Sequence, residues 1–130
     1  MVLDKKSAND KEFLKGLEGA NVIYFTGGDP NHLLEILRAS LLLRLLLKAV
    51  GDGAILAGSS AGAMVMGSFM YQSRSHSWVT ALDIVPGLIF LPHHERIDPE
   101  TLLAELPNRI PADSTLLGID ARTGCLGTDG

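Results

Sequence analysis

Short apolar runs alternate with longer stretches of helical periodicity along this chain. The runs are rich in leucine, β-branched or aromatic residues and predict buried strands at Asn21–Phe25, Ala54–Ala57, Leu88–Leu91 and Leu116–Asp120. Apolar residues at helical spacing predict helices before Gly19, over Asn31–Val50, over Ala61–Met70 and after Asp98–Pro99. This alternation is typical of a three-layer α/β fold, a mostly parallel sheet with helices on both faces.

The remaining segments give weaker signals. Met1–Asp4 predicts the stub of a strand, and Ser7 is a predicted helix N-cap. Tyr71–Val79 has no clear period and predicts a surface loop. The apolar stretch Leu33–Val50 is long enough to raise the question of a membrane span, but charged residues interrupt it on one face. A buried amphipathic helix is therefore the preferred interpretation.

The stretch from Gly58 to Gly62 matches the pattern G-x-S-x-G at a strand-to-helix turn. In a nucleophile elbow the central serine occupies a strained turn with its hydroxyl exposed, so Ser60 is the candidate nucleophile. Gly58 and Gly62 permit the bend and a close approach of helix to strand. The amide of Ala61 is a candidate oxyanion donor. A strand-to-helix turn without chemistry is the alternative interpretation of this pattern.

A second glycine-rich turn, at Gly27-Gly28, follows the strand Asn21–Phe25. Asp29-Pro30 then supplies a helix N-cap with proline at the first helical position. The amides of such a loop can cradle an anion or a carbonyl oxygen. A simple tight turn is the more common interpretation, unless the loop lies beside Ser60.

A serine hydroxyl needs a base, and histidine is the usual one. His32 and His76 are expected in capping or surface roles, whereas His93 and His94 directly follow a buried strand. We prefer His93, because adjacent side chains point to opposite sides. Glu95, Asp120 and Asp83 are candidate orienting carboxylates. The cluster also suggests a metal site, but adjacent histidines seldom bind one ion, so none is predicted.

Composition limits the classes of function. The chain has 130 residues, a net charge of −4 and no basic stripe, so it is expected to bind no nucleic acid. The apolar fraction of 46% is high for so short a chain, and a partner or further sequence is expected to cover apolar surface. A single cysteine, Cys125, excludes an internal disulfide and fits a reducing, cytoplasmic compartment.

Taken together, these motifs resemble the family of serine peptidases that includes dipeptidase E and cyanophycinase. The matching pieces span most of the chain in family order: Val22–Asp29, Ala57–Met64, Val85–Leu88, Pro92-His93 and Gly118–Asp120. The resemblance implies a class I glutamine amidotransferase-like, flavodoxin-like fold. Relatives carry an additional strand and helix before the region of Val22 and more strand beyond the region of Gly130, so residues 1–130 are expected to be a partial single domain.

The resemblance also implies roles for individual residues. Ser60 is then the nucleophile, His93 its base, and the Gly27-Gly28 loop with the Ala61 amide the oxyanion hole. The implied reaction is hydrolysis of a small peptide or isopeptide bond through an acyl-enzyme, without a cofactor. Relatives favour small aspartyl substrates, whose carboxylate Arg74, Arg96 or Arg122 could hold. A homodimer is a candidate assembly.

The chain departs from the family pattern at two places where relatives carry an acid. Ser68–Thr80 contains no acidic residue, and Ala121 stands where relatives often have glutamate. Two other functions follow as alternatives. One is a catalytically inactive or truncated domain of the same fold that binds a ligand or partner. The other is an α/β-hydrolase esterase, which shares the elbow but normally needs a longer chain with a late histidine.

Overall fold

The computed structural model describes residues 4–72, 75–104, 106 and 110–127. The chain divides into two compact units, Met1–Gly62 and Ala63–Gly130. Most of the strand stub predicted at Met1–Asp4 lies outside the described residues, and Asp4 itself is not in a strand.

The first unit contains one parallel strand pair and the helices that pack on it. Its elements are α1 (Lys11–Leu14), β1 (Val22–Phe25), α2 (Pro30–Leu37), α3 (Leu41–Gly51) and β2 (Ile55–Gly58), with 3-10 turns at Ser7–Asn9 and Lys15–Leu17. Strands β1 and β2 run parallel, from the pair Val22 and Ile55 to the pair Phe25 and Gly58. Both predicted strands of this unit are confirmed.

Strand β1 is buried on one face only. Ile23 and Phe25 are buried, whereas Val22 and Tyr24 are 60% and 57% exposed. Because side chains alternate along a strand, this pattern places two apolar residues on an open face. The prediction of a buried strand is therefore wrong for its alternate residues, and the expectation that a partner or further sequence covers apolar surface stays a prediction.

The prediction of one helix over Asn31–Val50 is wrong, because residues 38–40 separate α2 from α3. Ala39 has a φ of 58°, a left-handed conformation that interrupts any helix. The Ser40 hydroxyl accepts from the Leu43 amide at 3.0 Å and donates to the Leu37 carbonyl at 2.8 Å. Ser40 is thus a buried N-cap that starts α3. Within the described ranges no helix is long and apolar enough to cross a membrane.

The start of the chain also differs from prediction. Asp10, and not Ser7, is the N-cap of α1, since its carboxylate accepts from the amides of Glu12 and Phe13. Ser7 instead lies in the preceding 3-10 turn, where its amide donates to the Asp4 carboxylate at 2.7 Å. The predicted cap at Asp29 is confirmed, because its carboxylate accepts from the Asn31 and His32 amides.

Helix α4 (Ala61–Met66) follows β2 and is shorter than the predicted Ala61–Met70. It ends where the backbone at Gly67 meets Leu88, since a Cβ at Gly67 would lie 2.6 Å from the Leu88 carbonyl oxygen. The next residue, Ser68, donates its amide to that same oxygen at 2.9 Å. This close crossing turns the chain out of the helix.

The second unit contains a hairpin and a second parallel strand pair. Its elements are β3 (Phe69–Gln72), β4 (Ser77–Thr80), β5 (Leu88–Pro92), a 3-10 turn at His94–Arg96, α5 (Pro99–Ala104) and β6 (Thr115–Ile119). Strands β5 and β6 run parallel, from the pair Leu88 and Thr115 to the pair Pro92 and Ile119. The last two predicted strands and the helix after Asp98–Pro99 are confirmed.

Strands β3 and β4 replace the loop predicted at Tyr71–Val79, so that prediction is wrong. They pair antiparallel, and the rings of the paired residues Tyr71 and Trp78 lie 5.3 Å apart. Trp78 is 3% exposed and packs with Ile89 and Leu91 of β5. Burial of this aromatic ring stabilises the hairpin. The polar residues on its outer side hide the alternation of apolar and polar positions that would have predicted strands.

The break between α2 and α3 can be tested at Ala39. We expect Ala39→Gly to raise the free energy of unfolding by about 0.5–1 kcal/mol, because glycine removes the left-handed penalty of about 1–2 kcal/mol at a smaller entropic cost. Ala49→Gly, inside α3, is the matched control and should lower it by about 1 kcal/mol. Urea denaturation measures both changes, and an equal loss in the two variants contradicts the assigned break.

Candidate functional site

Ser60 occupies the strained turn that the sequence predicts. Strand β2 ends at Gly58, α4 begins at Ala61, and Ser60 between them has a φ of 49°. A non-glycine residue in this left-handed region costs about 1–2 kcal/mol and persists only where its surroundings hold it. The prediction of a strained strand-to-helix turn at Ser60 is confirmed.

Backbone contacts to β1 hold this turn. The Ser59 amide donates to the Phe25 carbonyl at 3.0 Å, and the Gly62 amide donates to the Ser59 carbonyl at 2.8 Å. A Cβ at Gly62 would lie 2.7 Å from the Phe25 Cβ and would overlap its carbonyl oxygen. Only glycine therefore lets α4 start this close to β1, which confirms the close approach predicted for Gly62.

The glycine-rich loop after β1 lies beside Ser60. A Cβ built on Gly27 would lie 3.4 Å from the Ser60 Cβ, which is ordinary van der Waals contact. Gly28 has a φ of 137°, a conformation that a side chain rarely adopts. The first unit thus brings together the predicted nucleophile, the Gly27-Gly28 loop and the amide of Ala61, the residue that follows Ser60 in the chain.

The second unit places the two adjacent histidines in different surroundings. His93 follows β5 with a φ of 58° and is exposed, and His94 begins the 3-10 turn. The His94 ring packs over Gly118, and its Nδ1 lies 3.4 Å from Oδ1 of Asp120. Of the three candidate acids, Asp120 faces His94.

Glu95 is held by a backbone amide just beyond the end of β6. Its Oε2 accepts from the Ala121 amide at 2.9 Å, and its Oε1 lies 3.4 Å from Nε of Arg96. The Ala121 amide lowers the pKa of Glu95, and the positive charge of Arg96 lowers that pKa further. The carboxylate is therefore ionised at neutral pH.

The other candidates have separate partners. Asp83 accepts from the Ser68 hydroxyl, which in turn accepts from the Gly87 amide at 2.9 Å. His76 lies on the hairpin, with Nδ1 3.0 Å from the Tyr71 hydroxyl. His32 lies in the first turn of α2, as expected, and its amide donates to the Asp29 cap. Arg74 lies outside the described residues, and Arg122 is exposed in the turn after β6.

Sequence reasoning missed one contributor, the strand glycine Gly118. It appears in the predicted strand without a role, although glycine inside a strand often marks a place where another group approaches closely. Here that group is the His94 ring, which lies where a Cβ at Gly118 would be. The available signal in the sequence was a glycine inside an apolar strand, together with two adjacent histidines directly after another strand.

Known proteins match nearly the whole chain in sequence and in fold. The model of peptidase family S51 matches residues 1–126. Cyanophycinase from Synechococcus elongatus is 32% identical over 126 residues, which cover 92% of this chain and 39% of that protein. Cyanophycinase from Geminocystis herdmanii is 31% identical over 133 residues, covering 94% and 48%. The chain thus spans less than half the length of these curated relatives.

A solved structure supports the same assignment. The crystal structure of a peptidase from an acI-B1 Actinobacterium matches with a TM-score of 0.77 and 32% identity, over 92% of this chain and 50% of that one. This match confirms the predicted amidotransferase-like α/β fold class. With the family match over residues 1–126, it shows that the chain belongs to peptidase family S51 and confirms the predicted relationship to dipeptidase E and cyanophycinase.

Proposed function

We propose that this protein is a serine peptidase that hydrolyses a small peptide or isopeptide bond through an acyl-enzyme on Ser60. The observation that carries the proposal is the left-handed Ser60 at the end of a parallel strand, with Gly27 in van der Waals range. Strain of this kind concentrates at active sites, where it holds a reactive group in place. Membership of peptidase family S51 supports the same reaction class.

The proposed chemistry begins at the serine hydroxyl. Ser60 Oγ attacks the carbonyl carbon of the scissile bond while His93 accepts the hydroxyl proton. The oxyanion that forms is stabilised by the Ala61 amide and the Gly27-Gly28 loop. His93 then donates the proton to the leaving amine, and the acyl-enzyme remains. Water hydrolyses this ester by the reverse sequence, with His93 as base again.

His93, and not His94, is the base in this proposal, because the ring of His94 is engaged in other contacts. His94 packs on Gly118 and faces Asp120, whereas His93 is exposed and precedes Glu95 by two residues. A nearby carboxylate stabilises the imidazolium that forms during proton transfer. Of the three candidate acids, Asp120 faces His94 and Asp83 accepts from the Ser68 hydroxyl, so Glu95 is proposed as the carboxylate that acts on the base.

The proposed substrate class is a small peptide that carries its own carboxylate. Two described arginines, Arg96 and Arg122, flank the ends of β5 and β6 near His93 and Asp120 in sequence. Arg96 already lies 3.4 Å from Glu95, so Arg122 is the better candidate for binding a substrate carboxylate. Arginine suits this role because its guanidinium can donate two parallel hydrogen bonds to a carboxylate.

The nucleophile can be tested with a fluorophosphonate probe, which reacts with activated serines. We expect the wild-type chain to be labelled and Ser60→Ala to show no labelling, because only Ser60 lies at the strained turn with a base assigned to it. Ser59→Ala is the matched control and should retain labelling, since the turn uses the Ser59 backbone. Gel fluorescence measures the result, and folded wild type without labelling would favour the ligand-binding alternative.

The role of the glycine loop can be tested with Gly27→Ala. The added methyl group would lie 3.4 Å from the Ser60 Cβ and occupy space beside the reacting carbonyl. We expect the rate of probe labelling to fall roughly 10- to 100-fold, since small displacements in an oxyanion site have effects of this size. The unfolding free energy should change by less than about 0.5 kcal/mol.

Gly16→Ala is the control for this substitution, because a Cβ at Gly16 meets nothing within 4 Å. It should leave the labelling rate unchanged. A Gly27→Ala variant that labels at the wild-type rate would show that the Gly27-Gly28 loop is only a turn.

A further inference from the structure

The ring of His94 lies against the one glycine within β6. A Cβ built on Gly118 would lie 2.6 Å from both Cγ and Cδ2 of His94 and 2.9 Å from its Nδ1. Real Cβ atoms essentially never approach other atoms this closely, so any side chain at position 118 would displace the ring. Glycine weakens a strand, and its presence here is explained by the histidine that packs on it.

Two polar contacts extend this packing along the end of β6. Nδ1 of His94 lies 3.4 Å from Oδ1 of Asp120, and Oε2 of Glu95 accepts from the Ala121 amide at 2.9 Å. The same amide lowers the pKa of Glu95, so this acceptor stays charged at neutral pH. The residues just after His93 therefore contact Gly118 of β6 and the two residues just beyond its end, Asp120 and Ala121.

The residue just before His93 is also fixed. Pro92 is the last residue of β5 and pairs with Ile119 of β6. His93 lies between this strand end and the attached turn, and its carbonyl accepts from the Arg96 amide at 2.9 Å. Its φ of 58° is unfavourable for a residue with a side chain and persists only while both flanks are held.

We propose that His94 is a positioning residue, which holds the backbone of His93 in its left-handed conformation by packing its ring on Gly118. The proposal rests on the proposed function, in which His93 is the base. His94 itself exchanges no proton with the substrate. Its contribution is geometric, because the direction of the His93 imidazole follows from the backbone conformation that the turn imposes.

A double-mutant cycle between His94 and Gly118 tests the packing. We expect His94→Ala to lower the fluorophosphonate labelling rate roughly tenfold, because it removes the ring that packs on Gly118. Gly118→Ala should have the same effect, because its methyl group displaces that ring. The double variant should be no slower than the slower single variant, because a methyl at 118 has no ring to displace. Independent effects that multiply to about a hundredfold would overturn the proposal.

Two further substitutions separate the ring from its polar contact. His94→Phe keeps a ring over Gly118 and should retain the labelling rate within about threefold. His94→Asn keeps a donor toward Asp120 without a ring and should be as slow as His94→Ala. The reverse order would overturn the packing argument and assign the effect to Asp120. A lower Tm with wild-type labelling rates in every variant would show a merely structural role.

A readout without activity distinguishes this proposal from the proposed function. Carbon–proton NMR spectra report the ring signals of His93, which His93→Gln identifies by their loss. His94→Ala should shift or broaden those signals, and His94→Phe should leave them close to wild type. Unchanged His93 signals in His94→Ala would overturn the positioning role even if the wild type is labelled. If the wild type is not labelled, the proposed function fails, and the spectra still test the positioning role.

Discussion

A left-handed backbone conformation immediately after a parallel strand is the constraint that sets the backbone at both Ser60 and His93, each within its own unit. Ser60 adopts it after β2, with a φ of 49°, and His93 adopts it after β5, with a φ of 58°. An extended strand directs successive side chains to alternate faces of the sheet, and a left-handed residue breaks that pattern. The side chain of the left-handed residue therefore does not follow the alternation of the strand before it.

Each of these strained residues is held by a glycine that accepts a close neighbour. Gly62 lets the start of α4 approach the backbone of Phe25, and Gly118 lets the His94 ring lie on β6. Neither glycine is needed here for an unusual φ, since neither has a positive one. Their value is the absence of a Cβ, which allows packing close enough to offset the strain next to it.

The cluster of ionisable residues after β5 is divided by the same geometry. In sequence, His93 is preferred over His94 as the base, and Glu95, Asp120 and Asp83 are all candidate carboxylates. In the structure His94 and Asp120 face each other, while Glu95 is fixed by a backbone amide. This division is the basis of the proposal that His93 acts as the base while His94 holds the turn.

The sequence by itself determined the four strands of the two parallel pairs, the strained turn at Ser60, the cap at Asp29 and the family, because these features depend on local composition and short spacings. It misjudged the break at Ala39 and the hairpin around Trp78, where burial of a capping hydroxyl and of an aromatic ring overrides the local pattern. Only the tertiary structure decided which histidine packs on Gly118 and which carboxylate it faces. Those choices depend on contacts between residues more than twenty positions apart, which no local pattern records.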